Sequence, residues 1–354
     1  MSWYLTTDQI TRLQLEISNY CNAQCPMCAR EKYHSYNLEW FKENNFNYPL
    51  GLNDSLISFD KYKQILSNDS WTSLQEIHFC GNYDEPATHP DLYDMCKWTL
   101  QHFPQIVINI ATNGGTRDKK FWKSLGELGK YNRNRIRVIW GIDGLEDTNH
   151  LYRKGVVWKK LEENFKSYIQ AGGTAVWQFI IFEHNQHQFE YIKSSYKDFG
   201  FDELKVIESY RPDKKTNVKT ASIPVIEKSK SNSVTTEPKI TEVRTNKMLK
   251  TVKCKALDHS SIIKKSLYVN AKGFVTPCCW MGTDNSLFDN QMSFAKNLDI
   301  SKHNINSYNK MSDVLKSEYF TLLKNAIETK TSNICNRHCM TSHNQSINMK
   351  QTTY

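Results

Sequence analysis

Three cysteines, Cys21, Cys25 and Cys28, fall within eight residues of a 354-residue chain, directly after the alternating stretch Leu13-Gln14-Leu15-Glu16-Ile17. Thiolates at that spacing on one short loop can hold three corners of an iron-sulfur cube and leave the fourth iron open to a small molecule. An open metal position is what a catalyst requires. Two other readings compete. A zinc ion accepts the same thiolates but needs a fourth ligand from elsewhere. Positions i, i+4 and i+7 also share one stripe of a helix, yet Pro26 interrupts the run, and Asn19 and Asn22 favour turns.

A loop carrying such ligands needs a rigid frame, and the first 210 residues supply a pattern for one. Strand-like segments are expected near 12–18, 75–80, 106–111, 135–141, 174–182 and 203–208. Helices are expected at 59–67, 90–102, 119–129, 157–170 and 187–198. Alternation of this kind predicts an α/β fold of parallel strands joined by helical crossovers. The polar or glycine-bearing turns after successive strands then gather at one end. They are Cys21 to Cys28, Gly81-Asn82-Tyr83-Asp84-Glu85-Pro86, Thr112-Asn113-Gly114-Gly115 and Gly141-Ile142-Asp143-Gly144. Glu31 to Ser55 form a long loop with Tyr33, Tyr36, Trp40, Phe41, Phe46 and Tyr48, suited to covering that end.

A second set of cysteines lies further along. Cys254 precedes a hairpin centred on Ala271-Lys272-Gly273, Cys278 and Cys279 follow it, and Cys335 and Cys339 come after a helix expected at 311–328. Four thiolates from three separated places can enclose a second metal centre, of iron-sulfur or zinc type. Eight of the ten cysteines thus suit metal ligation; Cys80 and Cys96 read as packing residues. The N-terminus lacks the order of a secretory signal, so a reducing, cytoplasmic location is expected.

With 39% apolar residues the chain can pack a core, and no run approaches the ~20 apolar residues of a membrane span. The formal charge of +9 is concentrated. Residues 211–253 hold eleven Lys or Arg against four Asp or Glu, an excess of seven, together with Pro212, Pro224 and Pro238. That segment reads as a solvated linker, with a docking strip for RNA or another acidic partner as the alternative.

The spacing Cys-x3-Cys-x2-Cys after a first strand resembles that of the radical S-adenosylmethionine (SAM) enzymes. The resemblance implies a partial (β/α)6 TIM-like barrel over residues 1–210. It also implies a 4Fe-4S cluster on Cys21, Cys25 and Cys28 whose open iron is chelated by SAM. An electron from the cluster would split the sulfonium to a 5′-deoxyadenosyl radical that takes a hydrogen atom from substrate. Met27 stands where the family has an aromatic residue. The turn from Gly81 to Pro86 resembles the family's Gly-Gly-Glu-Pro motif, with Glu85, and Asp84 second, matched to the SAM ammonium. Gly141 to Gly144 resembles a Ser-Ile-Asp-Gly turn containing Asp143. It is followed by Arg153 for the SAM carboxylate, and Asn113 can replace the hydrogen bond lost with Gly141. Gln178 and Asn185 are further candidates for the adenosine.

Residues 254–345 resemble the smaller C-terminal auxiliary-cluster domain called twitch or, in longer form, SPASM. That likeness implies Cys254, Cys278, Cys335 and Cys339 as ligands of an auxiliary 4Fe-4S cluster, and leaves 346–354 as a tail. A small-molecule or peptide substrate and an electron donor such as flavodoxin or ferredoxin are the partners implied. The rival from another class is a metal-stabilised RNA- or protein-binding module.

Overall fold

The computed structural model describes residues 6–28, 56–209, 218–223, 265–282, 298, 303–332, 335 and 351–353. The aromatic loop, most of the basic segment, Cys254 and Cys339 lie outside the described residues. The fold is mixed α/β around a sheet that is mostly parallel. Its strands are β1 (Arg12–Leu15), β2 (Glu76–Phe79), β3 (Val107–Thr112), β4 (Ile136–Gly141), β5 (Thr174–Ile181), β6 (Glu203–Glu208), β7 (Ser266–Val269), β8 (Val275–Thr276) and β9 (Gln351–Thr353), in the order β8-β7-β1-β2-β3-β4-β5-β6-β9.

Strands β1 to β6 pair in parallel in chain order. Helices fill the crossovers: α1 (Phe59–Ser67), α2 (Leu92–His102), α3 (Lys119–Tyr131), the short α4 (Asn149–Tyr152), α5 (Trp158–Gln170) and α6 (Phe189–Ser195). Sequential order with crossovers of one hand stacks the helices on a single face of the sheet. The side chains agree. Leu13, Leu15, Ile77, Phe79, Ile108, Ile110, Val138, Trp140, Trp177, Phe179, Leu204 and Val206 are no more than 1% exposed. The alternate positions Arg12, Gln14, His78, Asn109, Arg137, Gln178 and Lys205 are only half-buried and are polar. A parallel sheet covered by helices on both faces carries continuous apolar strands, so this alternation marks the second face as one that meets polar groups.

Where helices meet, a missing side chain sets the distance. A Cβ on Gly126 of α3 would lie 2.5 Å from the Tyr168 carbonyl of α5, so only glycine allows this crossing. Trp122, Trp140 and Tyr168 fill the space beside it, with the two indole centroids 4.6 Å apart.

The hairpin β7–β8 turns at the expected residues, and β7 lies parallel to β1 with Leu13 opposite Leu267. It therefore continues the main sheet and makes β1 an interior strand. A short α7 (Cys279–Gly282) follows the hairpin, and the helix expected at 311–328 is two: α8 (Met311–Val314) and α9 (Glu318–Glu328). Ser317 takes an extended backbone as the N-cap of α9, and its hydroxyl lies 2.9 Å from Nδ1 of His303. Gln351 to Thr353, read from sequence as tail, pair antiparallel with β6. Among the described residues no helix is long and apolar enough to cross a membrane.

His303 joins these C-terminal pieces. Its Nε2 donates to the Val275 carbonyl at 2.6 Å, Nδ1 accepts from Ser317, and the ring stacks on Tyr319. Burial drops its pKa to about 4, so the folded chain keeps the ring neutral. An unfolded histidine takes up its proton near pH 6.5, so this contribution is whole above that pH and fades as pH falls toward 4, by about 3 kcal/mol in all. The stability advantage of the native chain over His303→Gln, measured by urea unfolding, is expected to shrink by that amount between pH 7 and pH 4.

Candidate functional site

The loop ends above the parallel strands enclose a cavity of about 410 Å³. Its walls bring together Cys21, Cys25 and Cys28, Gly81 to Glu85, Thr112 and Asn113, Gly141, and Tyr152 with Arg153. On the strands themselves, His78, Gln178, Ile180 and Ile207 line it. Four turns spread from Cys21 to Gly144 in sequence therefore share one space, as the reading of strand ends required.

The cysteine loop is held from three sides. The Tyr20 carbonyl accepts from the Glu85 amide at 2.8 Å, and the Gln24 amide donates to the Lys154 carbonyl at 2.9 Å. The Asn113 side chain donates to Asn22 Oδ1 at 2.8 Å and points the same Nδ2 at the Cys21 sulfur, 3.7 Å away. Gly115 lets the loops close: a Cβ there would sit 2.8 Å from Asn22. The thiols lie close enough that the charges of Cys25 and Cys28 raise the pKa of Cys21, and that of Cys28 raises the pKa of Cys25. Burial drives Cys21 up to about 12 and Cys25 to about 11, so as free thiols both stay protonated, and a metal would displace those protons on binding. Among the described residues no three His, Cys, Asp or Glu side chains close around a single metal ion. A cube is a different demand, since it offers each sulfur its own iron corner.

Glu16, at the end of β1, is the residue that sequence reasoning missed. Its carboxylate is 1% exposed and accepts from three consecutive backbone amides, Asn82 at 2.7 Å, Tyr83 at 3.1 Å and Asp84 at 3.2 Å, as well as from the Cys80 thiol at 3.3 Å. One carboxylate thus shapes the whole turn after β2. The alternating run Leu13 to Ile17 does not mark it, because position 16 falls where a polar residue is expected; its burial is what shows that the charge must find donors. Cys80 is correspondingly more than packing: it lines the cavity and lies within electrostatic reach of Cys279. Cys96 is buried among apolar groups, as expected.

Asp84 accepts from the Ser18 amide at 3.1 Å, while its other oxygen finds no partner among the described residues. Burial and the adjacent Glu16 push its pKa well up, so it carries the proton of the pair. Glu85 is 2% exposed and accepts from the Thr112 hydroxyl and the Asn113 amide, both at 2.6 Å, and from the Ala87 amide. Burial raises it to about 7 against the pull of those donors. Its carboxyl is supplied with dipoles, and the Arg153 guanidinium acts on it only through space, with no ion pair to it among the described residues.

Asp143 lies behind the wall, fully buried. One oxygen accepts from the Ile180 amide at 2.7 Å, and the other from Nε of Arg153 at 2.6 Å. This fixes the guanidinium toward the cavity, where it also reaches Cys25. Gly141 is what makes the path: a Cβ there would meet Arg153 Nη2 at 2.7 Å. The missing side chain in this turn is therefore room for an arginine. Gln178 faces the cavity, whereas Asn185 is fully buried and spends its amide closing a turn onto the Asp143 and Ile180 carbonyls. Cys278 and Cys279 follow β8, with Cys335 just past α9.

No family model matches the chain. A curated relative, the tungsten-containing aldehyde ferredoxin oxidoreductase cofactor-modifying protein of Pyrococcus furiosus, is 28% identical over 118 residues, which make up 33% of this chain and 28% of that protein. Among solved structures the chain is similar to anSMEcpe with bound AdoMet and a peptide, at 18% identity and a TM-score of 0.42, over 59% of this chain and 55% of that one. It is also similar to SuiB of Streptococcus suis bound to S-adenosylmethionine, at 13% identity and a TM-score of 0.47, over 78% and 62%. The chain spans less than two thirds of each of these proteins.

Proposed function

We propose that the chain is a radical SAM enzyme, with the 4Fe-4S cluster on Cys21, Cys25 and Cys28 and SAM in the adjoining cavity. The observation that carries this reading is the charge of the cavity beside three convergent thiols. Asp84, Glu85 and Glu208 line it, while among the described residues the one guanidinium in its wall, Arg153, is already matched by Asp143. Buried negative charge without a cation calls for a ligand that brings one. SAM brings an ammonium and a sulfonium.

On this reading the protein's own groups divide the binding. Glu85 and the turn shaped by Glu16 receive the ammonium, and the free end of the Arg153 guanidinium takes the carboxylate. Asn113 holds the cysteine loop against both. The reduced cluster, when bound, supplies the electron that cleaves SAM to the 5′-deoxyadenosyl radical, and that radical abstracts a substrate hydrogen. The protein's remaining task is to aim the substrate from below. An electron donor such as flavodoxin or ferredoxin would serve the first step. An auxiliary 4Fe-4S cluster on Cys254, Cys278, Cys335 and Cys339, in a twitch- or SPASM-like segment, belongs to the same proposal. The curated relative's name, a cofactor-modifying protein, suits modification of a small molecule as well as of a peptide.

Two measurements test it. After anaerobic reconstitution with iron and sulfide, the chain is expected to form 5′-deoxyadenosine from SAM and dithionite. Changing Cys21, Cys25 and Cys28 together to alanine should abolish this and remove about four irons per chain. Zinc in place of iron, with no SAM cleavage, would identify a metal-stabilised binding module instead. Separately, Glu16→Ala leaves three buried amides without an acceptor, at about 1–3 kcal/mol each. SAM affinity, read by anaerobic equilibrium dialysis, is expected to fall at least about tenfold, with Glu16→Gln intermediate.

A further inference from the structure

The lower part of the cavity has the opposite character to its rim, and this bears on the substrate. Arg12, anchored to Glu76 at 2.9 Å, donates from Nη2 to Nδ1 of His78 at 2.6 Å. A nitrogen that accepts from a guanidinium carries no hydrogen, so the neutral ring must carry it on Nε2. That Nε2–H is shielded from solvent and finds no partner among the described residues, although His78 lines the cavity. Across the sheet Glu203 is shared between Arg137 and Lys205. In register, Gln14, His78, Asn109 and Arg137 form one row and Gly141, Gln178 and Lys205 another. Among the described residues the charges that reach His78 are two cations, Arg12 and Lys205, against one carboxylate, Glu76. Gln178 faces the same space.

We infer that this floor is the substrate subsite and that it takes a carboxylate, with one oxygen accepting from Nε2–H of His78 in the field of Lys205. This rests on the reading of the rim as the SAM site, because a substrate must lie within reach of the cleaved sulfonium. A buried donor held in one tautomer by Arg12 and left without an acceptor is a penalty unless something supplies an oxygen. The unbalanced cation on the same face selects an anionic oxygen over a neutral carbonyl. A phosphate is a poorer match, for which several converging cations or amides would be expected.

The test uses the reconstituted chain with SAM bound and pyruvate as probe, by isothermal titration against chloride of equal ionic strength. Pyruvate is expected to bind with millimolar affinity, His78→Phe to weaken it at least tenfold, Lys205→Met to weaken it severalfold, and His78→Gln to restore part of it. Inorganic phosphate is expected to bind no better than chloride. SAM affinity, measured in parallel, should stay unchanged in all three variants, which separates failure of this subsite from failure of the SAM reading. If His78→Phe does not fold, Lys205→Met carries the comparison. Absence of pyruvate binding in the native chain, or binding unaltered by either substitution, would overturn the inference, as would preference for phosphate.

Discussion

Buried carboxylates accepting backbone amides hold the upper end of this molecule together. Glu16 on β1 takes three amides of the turn after β2, Asp84 of that turn takes Ser18 back on the first loop, Glu85 takes Asn113 after β3, and Asp143 after β4 takes Ile180 on β5. Each link joins one strand end to a neighbouring one, so the loops move as a unit or not at all. A hydrogen bond to an ionised group is worth roughly twice a neutral one, and here water is excluded. The positions of the three sulfurs, of Arg153 and of the cavity wall all follow from this girdle.

The same acids polarise the cavity. Among the described residues carboxylates outnumber the cations lining the upper wall, and below it Arg12 and Lys205 outnumber the one carboxylate, Glu76, whose charge also reaches His78. A ligand or pair of ligands bridging the two levels is oriented by charge before any shape is matched. The geometry also makes Gly141 and Arg153 one device, since the arginine occupies the volume a side chain would fill.

Much of the frame was legible in the sequence because the helix-facing strand positions are apolar and the turns are rich in glycine and asparagine. All six core strands fall where alternation put them. The C-terminal half was less transparent. β9 is three residues long, too short to leave a pattern, and the break before α9 falls at Ser317, whose hydroxyl meets His303 from 14 residues away in sequence. In the site, cysteine spacing pointed to the loop, but the role of Glu16 was hidden. A lone acid in a strand looks like a solvent-facing residue until the amides that surround it are known. The polar lower face escaped notice for the same reason, since half-exposed strand residues give no sign of which neighbours they meet.

One feature of the sheet has a bearing on biogenesis. Because β7 flanks β1, the strand that leads into the cysteine loop is paired on both sides, and the loop itself is tied by hydrogen bonds to Glu85, Lys154 and Asn113. In small zinc modules the ion and the fold arrive together. If a cluster is held there as proposed, these ties would let the scaffold mature first, with inorganic assembly a late delivery to a finished receptacle.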